Sequence, residues 1–262
     1  DRPGTAGLGL PADPVIVATG GARGLTAHLV HEIVAAGAPR SVWLIGTGPE
    51  PDPGDVELAA LPKVEAVRRL MPRHPGENLA ALGRRYERAV QQAERAGTLR
   101  ALTEACGPDR VHYRQCDVLD ATAVDRVIGE VLAREGRVDV LLHGAGLARS
   151  AALERKRLAD FRTVRDVKVR GYAHLRAALR GHRPALWCSL SSISAFTGLR
   201  GEPDYGAANE FLLLAAAQAR ADGRDEVALV SGLWVESGMA SADTPGGAFL
   251  ARQAEIGQLT DA

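Results

Sequence analysis

The stretch Val15-Ile-Val-Ala-Thr-Gly-Gly-Ala-Arg-Gly-Leu25 sets a short apolar run directly against a glycine-rich turn. A β-branched run of this length, bounded by proline and glycine, suits a strand buried on both faces. Residues 24–36 beyond the turn read as a helix. Working outward, further strands are predicted at 41–45, near 111–113, and at 138–142, 185–189 and 227–230, separated by longer and more polar segments. Alternation of this kind predicts an α/β fold, a doubly wound parallel sheet with helices on both faces.

The interval between residues 45 and 111 is far longer than the dozen or so residues a simple crossover needs. Its first part, Gly48-Pro-Glu-Pro-Asp-Pro-Gly54, reads as extended loop. Leu79, Leu82, Tyr86, Val90 and Ala93 then recur at three- to four-residue spacing among charged residues, which predicts an amphipathic helix. Gly97 is expected to end that helix and Thr98 to cap another. The whole of about 50–106 is read as a helical insertion, packed on the domain edge or offering a docking surface to a neighbouring domain.

Composition narrows the class. Lys+Arg and Asp+Glu both number 32, so net charge gives no reason to expect a nucleic-acid groove or an anionic membrane surface as partner. No apolar run is long enough to span a bilayer. The opening Asp1-Arg-Pro-Gly lacks the features of a signal peptide and reads as excised from a longer chain. Cys106, Cys116 and Cys188 show no ligand spacing, so no metal site is expected; reduced thiols in a cytoplasmic protein are the plain reading. Lys63, Lys156 and Lys168 are the only lysines among 32 basic residues, so a lysine here is not filler.

Thr19, Gly20, Gly21, Arg23, Gly24 and Leu25 form a turn whose glycines let the backbone approach a pyrophosphate at the N-terminus of the following helix. The spacing is T-G-x-x-x-G. An NAD site usually places an acidic residue at the end of strand two, whereas Gly46-Thr47-Gly48 stands here. With no carboxylate to repel a 2′-phosphate, and with Arg23 available to pair with one, NADPH is the expected cofactor, with Thr47 beside that phosphate. A solvated loop arginine is the plainer alternative for Arg23. Asp117 and Val118 follow strand three, where an acidic side chain can accept a hydrogen bond from the adenine amino group. His143, Gly144, Ala145 and Gly146 follow strand four and allow close packing beside the cofactor; His143 is read as structural rather than catalytic.

Ser192 lies at the carboxyl end of strand five, the edge where open α/β sheets bind ligands. Tyr205 and Asn209 share a face at the start of a helix. Lys168 falls on the apolar stripe formed by Phe161, Val164, Gly171 and Leu175, and a buried ammonium is costly without a partner. Carbonyl reduction needs an acid for the developing alkoxide. A tyrosine serves near neutrality only if a cation stabilises its phenolate. Lys168 is suited to do that and to touch the nicotinamide ribose, Ser192 to orient the carbonyl, and Asn209 to hold Lys168 or a water that resupplies the proton.

These residues resemble the short-chain dehydrogenase/reductase superfamily from Thr19 to about Met239. Most of that superfamily has lysine four residues after the tyrosine and asparagine on the preceding helix. The exchange seen here, with Lys168 on the earlier helix and Asn209 after Tyr205, resembles ketoreductase domains of type I polyketide and fatty acid synthases. Asp166-Val-Lys-Val-Arg-Gly171, Ser191-Ser192 and Tyr205-Gly-Ala-Ala-Asn209 carry the likeness. The long charged helix and Thr19-Gly-Gly-Ala-Arg-Gly24 resemble the iterative polyunsaturated fatty acid and enediyne synthases most.

The resemblance implies a single Rossmann-like domain over residues 1–262 that reduces a β-ketoacyl thioester on an acyl carrier protein, using NADPH, beside other synthase domains. A free-standing reductase of small ketones and an inactive nucleotide-binding domain are the rival readings. Strand two lacks the arginine usual in the family for the 2′-phosphate. Leu147-Ala-Arg-Ser150 and Thr197 match neither stereochemical fingerprint of the modular enzymes, so product configuration stays open. Gly232-Leu-Trp-Val-Glu-Ser-Gly-Met239 resembles the turn into a substrate lid. The lid region is placed at about 236–262, with residues 248–256 as a lid helix or a frayed terminal one.

Overall fold

The structure is a computed structural model that describes residues 9–234 and 258–259. Six strands, β1 (Val15–Thr19), β2 (Ser41–Gly46), β3 (Val111–Gln115), β4 (Val140–His143), β5 (Leu186–Ser192) and β6 (Glu226–Ser231), form one sheet in the order β3-β2-β1-β4-β5-β6. Every pairing in it is parallel. The chain lays strands outward on one side of β1 and then on the other, so the doubly wound Rossmann-like fold expected from the sequence is present, with its switch point between β1 and β4. A short parallel pair, β7 (Leu233–Trp234) with β8 (Gln258–Leu259), lies outside the sheet.

All five residues of β1 are buried, and their alternation serves two cores. Val15 and Val17 join Trp43, Leu141 and Trp187 in the core under α5 (Ala121–Glu135), α6 (Leu158–Ala178) and α8 (Pro203–Ala221), the last preceded by the single-turn α7 (Ser194–Thr197). Ile16 and Ala18 join Leu44 and Leu142 on the opposite face, under α1 (Gly24–Ala36) and the end of α4 (Leu79–Cys106). Each fully buried aliphatic side chain contributes about 1.5–3 kcal/mol, so a strand apolar on both faces anchors the sheet.

The insertion differs from its sequence reading. Gly97 does not end a helix and Thr98 caps none: α4 runs unbroken from Leu79 to Cys106. A helical glycine costs about 1 kcal/mol relative to alanine, and burial of Leu102 with packing of Leu99 beyond it outweighs that. The helix stops instead at Gly107, with φ +95°. The segment read as loop to Gly54 turns helical earlier, because Asp52 accepts hydrogen bonds from the N–H groups of Gly54 and Asp55 and Pro53 suits the first turn of α2 (Pro53–Ala59). Helix α3 (Lys63–Leu70), which the sequence reading does not include, joins α2 and α4 around Leu58, Ala66, Leu70, Leu82 and Ala89. The lid at about 236–262 lies outside the described residues save for β8.

Candidate active site

The glycine turn meets the end of β4 at very short range. Gly20 has φ +70°, and a Cβ on it would stand 2.9 Å from the Gly144 carbonyl oxygen, so no other residue fits. Gly144 N–H donates to the Thr19 carbonyl (3.0 Å) and Ala145 N–H to Thr19 Oγ1 (3.3 Å). Thr19 and Gly20 of the turn and Gly144 and Ala145 beyond β4 therefore stand together at the carboxyl edge of the sheet, beside the switch point, where a doubly wound fold has its crevice; Gly21 faces Ala18 and Leu44 of the core instead. The N-terminus of α1 has no side-chain cap; Arg23 occupies that position in extended conformation.

His143 braces this crevice from within. Its Nε2 contacts the Lys168 carbonyl oxygen (3.1 Å), which can only accept, so Nε2 carries the proton. Nδ1 is then the acceptor for the Thr19 hydroxyl at 2.9 Å. Full burial, aided by the Lys168 charge, pushes the imidazole pKa down to about 3, so the ring is neutral. Both nitrogens are occupied, as a structural histidine requires.

Helix α6 lies tightly on β4 because Gly171 offers no side chain: a Cβ there would meet Val118 Cγ2 at 3.0 Å and His143 Cε1 at 3.1 Å. One turn earlier, Lys168 is only 4% exposed. Its Nζ donates to the Leu190 carbonyl (2.6 Å) and lies 5.9 Å from the centroid of the Tyr205 ring. No carboxylate pairs with it among the described residues, and desolvation drops its pKa to about 8. Tyr205, in the first turn of α8, has its phenol pKa raised by burial and then by Glu202; hydrogen bonds with Asn209 and Ser192 act in the opposite sense. Asn209 is fully buried, donates Nδ2–H to the Tyr205 carbonyl (2.8 Å), and leaves Oδ1 without a partner. Ser192 ends β5 and accepts from Ser194 N–H (3.2 Å), while Ser191 Oγ donates to the Asn209 carbonyl (3.0 Å) and ties the strand to α8. The four residues expected to act together thus converge; Lys168 reaches the β5 backbone rather than Asn209.

The outer end of the crevice is less settled by protein contacts. Asp117 is exposed, with one oxygen accepting Leu119 N–H (2.9 Å), and Val118 is buried beneath Gly171. The Thr47 carbonyl accepts from Gln115 Nε2 (3.0 Å). Arg23 contacts Glu94 of α4 at 3.4 Å.

Two features escape the sequence reading. Lys156 and Asp204 form a buried ion pair of 2.5 Å, and the same carboxylate oxygen accepts Tyr205 N–H (3.0 Å). The scarcity of lysine is the one signal that points to Lys156, as it does to Lys168. The second feature is Arg95, which α4 carries to the end of β2; its separation in sequence from that strand hides it.

Fold and site together define a dinucleotide-binding reductase of the short-chain dehydrogenase/reductase kind, with lysine on the helix before the serine strand. The model of the KR domain family matches residues 64–236. Erythronolide synthase EryA3 of Saccharopolyspora erythraea is 34% identical over 188 residues, covering 71% of this chain and 6% of that protein. A polyunsaturated fatty acid synthase polypeptide of a Thraustochytrium species is 28% identical over 221 residues, covering 80% of this chain and 8% of that one. Among solved structures, a ketoreductase domain from the bacillaene assembly line superposes with TM-score 0.68 at 22% identity, over 95% of this chain and 51% of that one. A short-chain dehydrogenase from Burkholderia cenocepacia, in complex with NADP, gives TM-score 0.63 at 22% identity, over 96% and 86%. The chain belongs to the KR domain family. It spans less than a tenth of the length of these two curated relatives.

Proposed function

We propose that this domain reduces a β-ketoacyl thioester, delivered on an acyl carrier protein within a larger synthase, to the β-hydroxyacyl thioester with NADPH. The observation that carries the reading is the buried Lys168 ammonium, 5.9 Å from the Tyr205 ring and without a counter-ion among the described residues. A buried cation with only a carbonyl partner is poorly compensated in the resting fold and is well placed to stabilise a phenolate.

The residues present fit the dinucleotide. The Gly20 turn admits no Cβ, the first turn of α1 carries no side-chain cap, and both lie beside the switch point. When bound, the nicotinamide supplies a hydride to the carbonyl carbon. Tyr205 gives its phenolic proton to the carbonyl oxygen, so the C=O becomes CH–OH and the phenolate left behind is stabilised by Lys168. Ser192 donates a hydrogen bond to the same oxygen and fixes the carbonyl. Asn209, with its unpartnered Oδ1, holds a water that returns the proton to Tyr205. Thr19 and His143 stiffen the wall on which the cofactor rests, and Asp117 is placed to accept from the adenine amino group. The family relatives are multidomain synthases, which supports neighbouring synthase domains and a carrier protein as partners.

The test is NADPH oxidation by the purified domain with a β-ketoacyl pantetheine or carrier-bound thioester against a simple ketone, with product configuration scored. Turnover favouring the thioester is expected. Efficient turnover confined to simple ketones would favour a free-standing reductase, and no turnover of either would refute the reductive role.

A further inference from the structure

Arg95 is only 7% exposed, an unusual burial for an arginine with no ion pair among the described residues. It sits on α4, far along the chain from the glycine turn, yet its guanidinium lies against Gly48 just past the end of β2: a Cβ on Gly48 would stand 2.1 Å from Nη2. Nη1 donates to the Pro49 carbonyl (2.7 Å) and to Gln92 Oε1 (2.7 Å), and the group lies 5.4 Å from the centroid of the Tyr113 ring. Tyr113 in turn donates its hydroxyl to the Gly48 carbonyl (2.6 Å). The remaining N–H groups of Arg95 find no acceptor among the described residues.

No carboxylate among the described residues pairs with Arg95. Burial lowers the Arg95 pKa, Tyr113 acts in the opposite sense, and repulsion from Arg23 lowers it again, so the two guanidinium groups feel each other. Glu94 neutralises Arg23 alone, at 3.4 Å and half in solvent. Glu50 acts on the Tyr113 hydroxyl and pairs with neither arginine. Two arginines, one from the glycine turn and one from the insertion, thus stand at the place where a dinucleotide-binding sheet meets the 2′-position of the adenosine ribose. Arginine presents a planar fork of donors that matches phosphate oxygens.

We propose that Arg95 is the specificity-determining residue for the 2′-phosphate of the cofactor, with Arg23 as its partner, so that the insertion helix α4 supplies what β2 does not. This rests on the dinucleotide-reductase reading given above. Gly48 is glycine because the guanidinium occupies the space of its side chain. On phosphate binding, Arg23 exchanges the exposed Glu94 for the ligand.

Binding to the folded domain tests this without turnover. Calorimetric affinities are measured for NADPH, NADH, 2′,5′-ADP and 5′-AMP with wild type, Arg95→Gln and Arg23→Ala, with folding checked by circular dichroism. Removing Arg95 is expected to weaken NADPH and 2′,5′-ADP by about tenfold or more while NADH and 5′-AMP change less than about twofold, as suits loss of a charge-assisted phosphate contact. If Arg95→Gln does not fold, Arg95→Met serves instead. It keeps an apolar stem in the buried position without the guanidinium, and the same selective loss of NADPH and 2′,5′-ADP is expected. Equal weakening of both cofactors would make Arg95 a brace for the 47–49 loop and overturn the proposal. Unchanged NADPH preference in Arg95→Gln, or in Arg95→Met where that variant is used, would overturn it as well, leaving the reductase reading intact. Failure of wild type to bind either dinucleotide would overturn the reductase reading itself, and this proposal with it.

Discussion

Lys168 shows what a single residue is asked to do. Its ammonium is desolvated and held by one carbonyl, so its pKa falls to about 8 from an ordinary 10.5. Below pH 8 both folded and unfolded chains carry the proton, and the folded state bears the whole desolvation cost. Between about pH 8 and 10.5 the unfolded chain binds more protons than the folded one, so stability from this group rises with pH. Lys168→Met is expected to raise stability at pH 7 by about 1–3 kcal/mol in denaturant melts, to flatten that pH dependence, and to abolish reduction. Wild-type kcat/KM for reduction is expected to fall as pH rises through about 8, where the cation that supports Tyr205 is lost; a profile flat to pH 10 would refute the role. His143 works in the same sense, in a lower pH window. With a pKa of about 3 against 6.5, it favours the folded state above pH 6.5 and loses that contribution as pH falls toward 3.

The elements show where local sequence speaks for itself and where it does not. The inner strands β1, β2, β4 and β5 are legible because each is a short apolar run largely buried on both faces, whereas the edge strands β3 and β6 are only partly buried; the positions of Lys168, Ser192, Tyr205 and Asn209 follow from their places on strand ends and helix faces. Helix α4 departs from its sequence reading at Gly97, since a glycine stop signal is local while the packing of Leu99 and Leu102 that overrides it is not. A Cβ on Gly97 would meet nothing within 4 Å, and its φ is not positive. Gly97→Ala is therefore expected to stabilise the protein by about 0.5–1 kcal/mol in thermal or urea melts. The Lys156–Asp204 pair is illegible in the sequence because it joins the segment before α6 to the first turn of α8. Asp204→Ala leaves Lys156 buried without its counter-ion, and a loss of about 3–5 kcal/mol is expected, with Tyr205 displaced and kcat falling more than cofactor affinity.

At the scale of the whole molecule, a sheet common to many reductases becomes a particular site through what is hung on its carboxyl edge. The α6–α8 side brings Lys168 to Tyr205, and the insertion brings Arg95 to the end of β2. The first is readable because the lysine lies on a regular apolar stripe. The second is not, because the path of a long insertion across the sheet edge is set by tertiary packing. Among the described residues no helix is long and apolar enough to cross a membrane.

The most direct measurement of the central claim is a comparison of wild type with Tyr205→Phe, in NADPH affinity and in turnover of a β-ketoacyl pantetheine thioester. Loss of turnover by about 10²-fold or more, with the dissociation constant for NADPH unchanged within about twofold, is the expected result. Robust turnover by the phenylalanine variant would contradict a site in which Tyr205 protonates the carbonyl oxygen with Lys168 behind it.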